Sequence, residues 1–108
     1  MKLPTPALVE LAKLRDYCLN PSHQEGKHKA RVFDAALGIN AEDAEWLREE
    51  LLSAAADGSF LPTTRTAHGQ RYVLDFPIQR QQRTAMIRSA WIIRPGEKFP
   101  RLVTCYVL

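Results

Sequence analysis

Glycine, cysteine and histidine are scarce in this chain of 108 residues, and each shortage excludes a class of site. Five glycines occur without clustering, so no glycine-rich loop is available to bind phosphate. Cys18 and Cys105 give neither a disulfide framework nor zinc spacing, and we expect both in the core of a reduced protein. His23 and His28 are five positions apart, not four, and lack a helical acidic partner. We therefore expect no metal and no cofactor.

A long apolar run is also missing. No stretch approaches the ~18 apolar residues of a membrane span, and the N-terminus lacks an apolar signal core. The sequence therefore predicts a soluble, cytoplasmic protein with no membrane partner. Its length suits one domain, since domains typically hold ~100–150 residues, and a hydrophobic content of 45% is ordinary for a folded core. We expect residues 1–108 to form that single domain.

Acidic residues are scarce in the second half of the chain. Residues 1–58 hold seven Lys and Arg against ten Asp and Glu, whereas residues 59–108 hold eight against two. The second half is therefore basic, and all but one of its cations are arginines, whose planar fork suits phosphate. This asymmetry predicts a nucleic acid or an acidic protein as partner. The alternative is a solvated basic face that serves solubility.

The first 58 residues show the apolar spacing of three helices. The first is predicted from Thr5, as a cap, to Leu19. The second is predicted over Lys27–Leu37, with Gly38 as a left-handed stop. The third opens at Asn40, a good N-cap, and closes at Gly58.

After Gly58 the apolar period changes from 3.6 to 2, which is typical of strands. Pro62 confines the first strand to an edge or a bulge. The fold class is therefore predicted as α+β, with three N-terminal helices (1–58) packed on one face of a four-stranded antiparallel sheet (59–108). The predicted strands are Phe60–Thr66, Arg71–Ile78, Thr84–Ile93 and Arg101–Leu108, with Gln79–Arg83 as a polar loop.

Alternation divides the sheet residues between two faces, provided that no bulge shifts the register. Asp75 then lies on the opposite face from Arg88, which faces a cleft. Polar and aromatic side chains over an apolar floor suit a polar ligand. The alternative is that the tyrosines pack across strands and that Arg88 pairs with Asp75. The predicted core face holds Val73, Ile87, Trp91, Val103, Cys105 and Val107; the cleft face holds Tyr72, Leu74, Phe76, Arg88, Ala90, Thr104 and Tyr106.

Three cations and a histidine gather in Lys27–Arg31, at the start of the second helix, where free N–H groups favour an anion. With Arg65, Arg83 and Arg88 this segment is predicted to surround a phosphodiester. RNA supplies its own nucleophile, the 2′-hydroxyl, so a histidine that moves a proton and arginines that stabilise the oxyanion suffice. The alternative for His28 is an exposed residue at a helix start.

Several segments resemble a family of small bacterial domains of unknown function, over nearly the whole chain. Members occur as short standalone proteins and as C-terminal modules of larger secreted ones, which implies toxin–antitoxin or bacterial competition systems. The segments are Lys13–Tyr17 with Asn20-Pro21, Lys29–Phe33, Arg71–Asp75, Ser89–Ile93 and Pro100–Tyr106.

The order of helices and then four strands, with the closing Leu-Val-Thr-Cys-Tyr, also resembles barnase and colicin-type toxin ribonucleases at the level of the fold. Catalytic residues vary within that group, so the resemblance extends only to Thr104, Tyr106 and the basic residues.

These observations predict a toxin-like, metal-independent ribonuclease that a small acidic antitoxin or immunity protein neutralises. The alternative is a non-catalytic module that binds protein or RNA through its arginine-rich sheet. The expected catalytic residues are His28, Arg88, Thr104 and Tyr106; the expected substrate-binding residues are Lys27, Lys29, Arg31, Arg65, Tyr72 and Arg83.

Overall fold

A computed structural model describes residues 1–108. The helices precede the strands, and the strands form one antiparallel sheet in the order β1-β2-β3-β4. The predicted α+β class and the four-stranded antiparallel sheet are confirmed. The helices are α1 (Leu11–Lys13), continuing as a π-helical segment (Leu14–Cys18), α2 (Lys27–Leu37) and α3 (Ala44–Asp57), which a 3-10 turn (Ala41–Asp43) precedes; the strands are β1 (Leu61–Thr66), β2 (Gly69–Arg80), β3 (Arg83–Ile93) and β4 (Arg101–Val107).

The start of the first helix is where the sequence prediction is wrong. The helix begins at Leu11, not at Thr5. Leu8 instead forms a parallel bridge with Arg101, because its N–H donates to the Pro100 carbonyl and its carbonyl accepts from the Leu102 N–H, each at 2.9 Å. Pairing with the free side of β4 thus satisfies backbone groups that a helix would otherwise satisfy internally.

The second and third helices follow the sequence closely. α2 covers the predicted residues, and Gly38 ends it with a left-handed φ of 69°. The third helical stretch opens with a capping box, in which the Asn40 side chain accepts from the Glu42 N–H and the Asp43 carboxylate accepts from the Asn40 N–H. These bonds satisfy N–H groups that have no partner inside the helix.

The second and third strands are longer than their apolar patterns predict. The expected loop Gln79–Arg83 is mostly strand, and only Gln81 and Gln82 form the turn. Gln81 has a φ of 55°, in keeping with the positive φ of two-residue hairpin turns. β1 is an edge strand whose register shifts between Pro62 and Arg65, which confirms the edge or bulge predicted from Pro62.

The core is a single cluster of 18 buried residues, drawn mainly from the helical segments and from β2, β3 and β4. Trp91 is fully buried there, and its ring meets Phe60 edge-on at 5.8 Å between centroids. Its Nε1 donates to the Ser89 hydroxyl at 2.8 Å, and that hydroxyl donates to the Leu74 carbonyl at 2.6 Å. The one buried polar side chain is therefore satisfied on both sides.

Strand pairing corrects the predicted faces of β2. Tyr72 lies opposite Trp91, Leu74 opposite Ser89 and Phe76 opposite Ile87, so Tyr72, Leu74 and Phe76 belong to the core face. Val73 lies opposite Ala90 and belongs to the other face. The assignment of β2 was one residue out of register, which exchanges every side chain on a strand.

The predicted faces of β3 and β4 are largely confirmed. Ile87, Trp91 and Cys105 are fully buried. Val103 is left between the pairs of Leu102 and Thr104, where the register shifts. We call the side of the sheet that bears Arg71, Val73, Asp75, Arg88, Ala90 and Tyr106 the polar face; none of these residues is fully buried.

Candidate functional site

Three polar side chains form a row across the polar face. Asp75, Arg88 and Tyr106 occupy directly opposite positions on β2, β3 and β4. The Arg88 guanidinium donates from Nε and Nη2 to the two Asp75 oxygens, at 2.9 and 2.8 Å. The expectation that Asp75 lies on the other face from Arg88 is therefore wrong, because the hairpin register makes them cross-strand partners.

The ion pair within this row stays charged and open to solvent. The hydrogen bonds from Arg88 lower the pKa of Asp75, and the same bonds, followed by a smaller contribution from Tyr106, raise the pKa of Arg88. The Arg88 side chain is 41% exposed and the Asp75 side chain 35%. Arg88 uses two of its five N–H donors on Asp75, so the others remain for the neighbouring Tyr106 and for a ligand.

A shallow cavity of about 280 Å³ lies where α2 meets β4. His28, Lys29 and Val32 line it from α2, and Tyr106 and Val107 line it from β4. His28 is exposed. The fold thus brings His28 and Tyr106, two of the predicted catalytic residues, to the same cavity.

Lys29 connects this cavity to a third predicted residue, Thr104. Its half-buried ammonium donates to the Tyr17 hydroxyl at 2.6 Å and to the Thr104 hydroxyl at 3.1 Å. The same nitrogen lies 5.9 Å from the centre of the Tyr106 ring and 4.6 Å from that of Tyr17. A cation held against two aromatic faces is fixed in position.

Two thiols lie beneath this cluster. Cys18 and Cys105 are free and fully buried, and their thiols are neighbours. The hydrogen bond with the Cys105 thiol lowers the pKa of Cys18 to about 6, against the opposing effect of burial, and Thr104 and Lys29 add smaller contributions that also lower it. The Cys18 sulfur lies 3.7 Å from the Thr104 hydroxyl. The hydrogen bond with Cys18, followed by burial and by the neighbouring thiolate charge, raises the pKa of Cys105.

The sequence indicated that both cysteines lie in the core but not that they meet. One belongs to a helical segment and the other to the last strand, so no local spacing relates them. Tyr17 and Asp75 were likewise outside the predicted site, because their roles depend on contacts between distant segments.

The remaining predicted substrate-binding residues do not converge on His28. Lys27 and Arg31 are exposed and line a separate cavity of about 170 Å³ on the other side of α2's first turns. Arg65 lies on β1, three strands from β4, which is roughly 14 Å at the usual strand spacing. Arg83 begins β3 at the hairpin turn, away from the Asp75 row.

Tyr72 has a packing role. It lies on the core face opposite Trp91 and meets Phe60 edge-on at 6.2 Å between ring centroids. Its position on the cleft face, as the sequence predicted it, is therefore wrong. It contributes one side to a cavity that Arg65 also lines.

The structure brings together no group of three or more His, Cys, Asp or Glu side chains able to hold a metal ion. None of its helices is long and apolar enough to cross a membrane.

The model of a family described as a domain of unknown function matches residues 2–108. The chain belongs to this family, DUF6883. Neither curated proteins nor solved structures provide a match to this DUF6883 chain. The predicted membership of a family of unknown function is thus confirmed, whereas its toxin context and its likeness to barnase-type ribonucleases stay predictions.

Proposed function

We propose that this DUF6883 domain is a toxin-type, metal-independent endoribonuclease. The observation that supports it is the meeting of α2 with β4, where His28, Lys29 and Tyr106 share one cavity. Arg88 lies opposite Tyr106, and Thr104 accepts a hydrogen bond from Lys29. Groups that move protons and groups that hold phosphate charge therefore lie side by side, as phosphodiester cleavage requires.

In the proposed reaction the 2′-oxygen of RNA attacks the adjacent phosphorus. His28 accepts the 2′-hydroxyl proton, the bond to the 5′-oxygen breaks, and the departing oxygen takes a proton from Tyr106. The products are a 2′,3′-cyclic phosphate and a free 5′-hydroxyl, so atoms and charge balance. His28 is suited to this role because histidine exchanges protons near neutral pH.

Charge builds up on the phosphate oxygens during this step. The N–H donors of Arg88 that Asp75 does not occupy and the Lys29 ammonium are the groups that stabilise this charge. Asp75 holds the guanidinium plane across the strands through two bonds. We assign Asp75 the role of a positioning residue, because a fixed donor costs no reorganisation in the transition state.

The proposed partner is a small acidic antitoxin or immunity protein. Residues 59–108 carry eight Lys and Arg against two Asp and Glu, and an acidic partner covering this half would compete with RNA. Complementary charge speeds association and excludes like-charged partners. The setting we propose is a toxin–antitoxin or bacterial competition system, in line with the resemblance described above.

A non-catalytic module that binds RNA or protein is the second candidate. The observation that favours it is the engagement of the site's cations, since Arg88 is paired with Asp75 and Lys29 with two hydroxyls. Cations that already have hydrogen-bond partners within the protein can bind a phosphate without changing the reactivity of that phosphate. Cleavage assays separate the two candidates.

The test compares the parent with Arg88→Ala, His28→Ala and the control Lys98→Ala. Lys98 is an exposed loop cation that lines none of these cavities. We expect the parent and Lys98→Ala to cleave RNA in EDTA and to stop growth when expressed, with total RNA degraded over time. Arg88→Ala and His28→Ala should lose cleavage while their melting temperatures stay within a few degrees of the parent. Intact RNA with the parent protein contradicts the enzyme proposal and leaves the binding module.

A further inference from the structure

A cavity of about 550 Å³ shares no residue with the His28 cavity. This cavity lies between the β1–β2 turn, the β3–β4 loop and the C-terminal end of α1. We call it the basic groove and define it by Lys13, His68, Arg71, Arg94 and Arg101, which line it together with Ala67, Ile92, Pro95, Leu102 and Val103.

Three of these cations have no partner within the chain. Lys13, Arg71 and Arg94 are exposed, and their side chains make neither an ion pair nor a hydrogen bond. Arg101 differs, because it is 16% exposed and bound by Glu97 at 2.8 Å and Glu10 at 3.3 Å. The charge of Arg101 is therefore neutralised within the chain, whereas the charges of Lys13, Arg71 and Arg94 are exposed to solvent without a partner.

A second cavity of about 380 Å³ borders the groove at the β3–β4 loop. The two cavities share Arg94 and Pro95, and the second adds the exposed cation Arg65. Arg65 was predicted to bind substrate, and this is where the fold places it. Arg94 thus lies between two cavities on opposite faces of the sheet, since Arg71 is on the polar face and Tyr72 lines the second cavity from the core face.

The groove and the Asp75–Arg88–Tyr106 row lie on the same side of the sheet. Arg71 and Asp75 are four residues apart on β2, so their side chains point the same way, and Arg71 pairs with Ile92 just as Asp75 pairs with Arg88. Four strand residues span roughly 13 Å. One strand of RNA lying along β2 and β3 would reach both places.

We infer that the basic groove binds the phosphate backbone of single-stranded RNA, on one side of the bond held at the Asp75–Arg88–Tyr106 row. The inference rests on the proposed function for the identity of the ligand. Three unpaired cations in one groove offer separate contacts to phosphates of one strand, and arginine binds phosphate through paired donors. The groove gives affinity for long substrates and takes no part in the chemistry.

The test measures binding with 2′-O-methyl RNA oligonucleotides, which lack the attacking hydroxyl and stay intact. The variant is Arg71→Ala with Arg94→Ala. The matched control is Lys2→Ala with Lys98→Ala, which removes the same charge from exposed positions outside the groove. Fluorescence anisotropy gives the Kd of a long and of a very short oligonucleotide at several salt concentrations.

We expect the groove variant to weaken binding of the long oligonucleotide at least tenfold, with little change for the short one. The plot of log K against log salt should become less steep by roughly 1.4, since the variant loses two phosphate contacts and each contributes about 0.7 on a single strand. The control should retain the parent's affinity and slope. Should the double variant unfold, Arg94→Ala alone, in an exposed loop, provides the same comparison.

Failure of this inference and failure of the proposed function give different results. If the parent binds the long oligonucleotide and the groove variant binds it equally well, the groove is wrong, whether or not RNA is cleaved. If the parent binds no oligonucleotide, the groove is also wrong. If binding depends on the groove but natural RNA stays intact, the groove holds and the ribonuclease proposal falls.

Discussion

At the scale of single residues, Ser89 shows what a polar side chain in the core requires. Its hydroxyl is fully buried, accepts from Trp91 Nε1 and donates to the Leu74 carbonyl. It thereby satisfies two groups that water cannot reach, and burying either without a partner is unfavourable. The apparent polar interruption of an apolar strand is thus part of the core.

Ser89→Ala should destabilise the protein by about 1–3 kcal/mol, because it leaves a buried donor and a buried carbonyl with fewer partners. Urea unfolding measures the change. The cost of Ser89→Ala should be smaller in a Trp91→Phe background, because phenylalanine has no indole N–H that would be left without a partner. An equal cost in both backgrounds would show that the Ser89–Trp91 bond contributes nothing.

Cys18 is the other residue whose surroundings change its chemistry. Its pKa is lowered from 9.0 to about 6, chiefly by the hydrogen bond with Cys105. The absorbance of thiolate at 240 nm should therefore rise through pH 6 in the parent. Cys18→Ser should remove this step, and Cys105→Ala should move it to higher pH.

The lowered pKa also has a consequence for stability. A thiol with a lower pKa in the folded state stabilises that state above its unfolded pKa, and the effect disappears as pH falls through the folded pKa. The difference in melting temperature between the parent and Cys18→Ser should hence favour the parent more at pH 8 than at pH 5. A constant difference across that range would exclude a folded-state thiolate.

At the scale of elements, the capping box at Asn40 decides where the third helical stretch begins. The Asp43 carboxylate accepts a hydrogen bond from the Asn40 N–H, and the Asn40 side chain caps the first turn in return. Leu47 and Leu51 of the helix that follows are buried in the core. The start of the helix and the burial of its apolar face are therefore coupled.

Asn40→Ala should cost about 1 kcal/mol, the usual loss for removing an N-cap. Asn40→Asp is the matched control, because its side chain can still accept the same bond, and it should remain close to the parent. Chemical denaturation monitored by circular dichroism measures both. Equal stability of Asn40→Ala and the parent would mean that packing alone sets the start of the helix.

At the scale of the whole molecule, charge is divided between the two halves of the chain. The helical half holds most of the acids and the sheet half most of the arginines. The ion pairs join some of them, such as Arg80 with Asp43 between β2 and the turn before α3. Arg71 and Arg94, which have no partner, lie at the basic groove and give it a positive potential.

RNA binding by the intact domain should therefore weaken steeply as salt rises, because released counterions drive association with phosphate. Titrations at 50, 100 and 200 mM salt (of order the range over which such effects are large) measure it. Affinity that does not change with salt contradicts recognition through the phosphate backbone.

The sequence by itself determined the local structure. The period of 3.6 and the caps placed α2 and α3, and the period of 2 with Pro62 placed the edge strand β1. These signals depend only on residues that are close in the sequence, so they can be interpreted without the tertiary structure. The excess of arginine after residue 58 likewise indicated a basic surface before any contact was known.

Only the tertiary structure decided which residues meet. Asp75 and Arg88 pair because the hairpin register places them opposite each other, and a change of one residue would have separated them. Cys18 and Cys105 meet because a helical segment lies against the last strand. The basic groove draws its cations from three separate segments. Register and packing are set by the burial of the whole core, and no local pattern contains them.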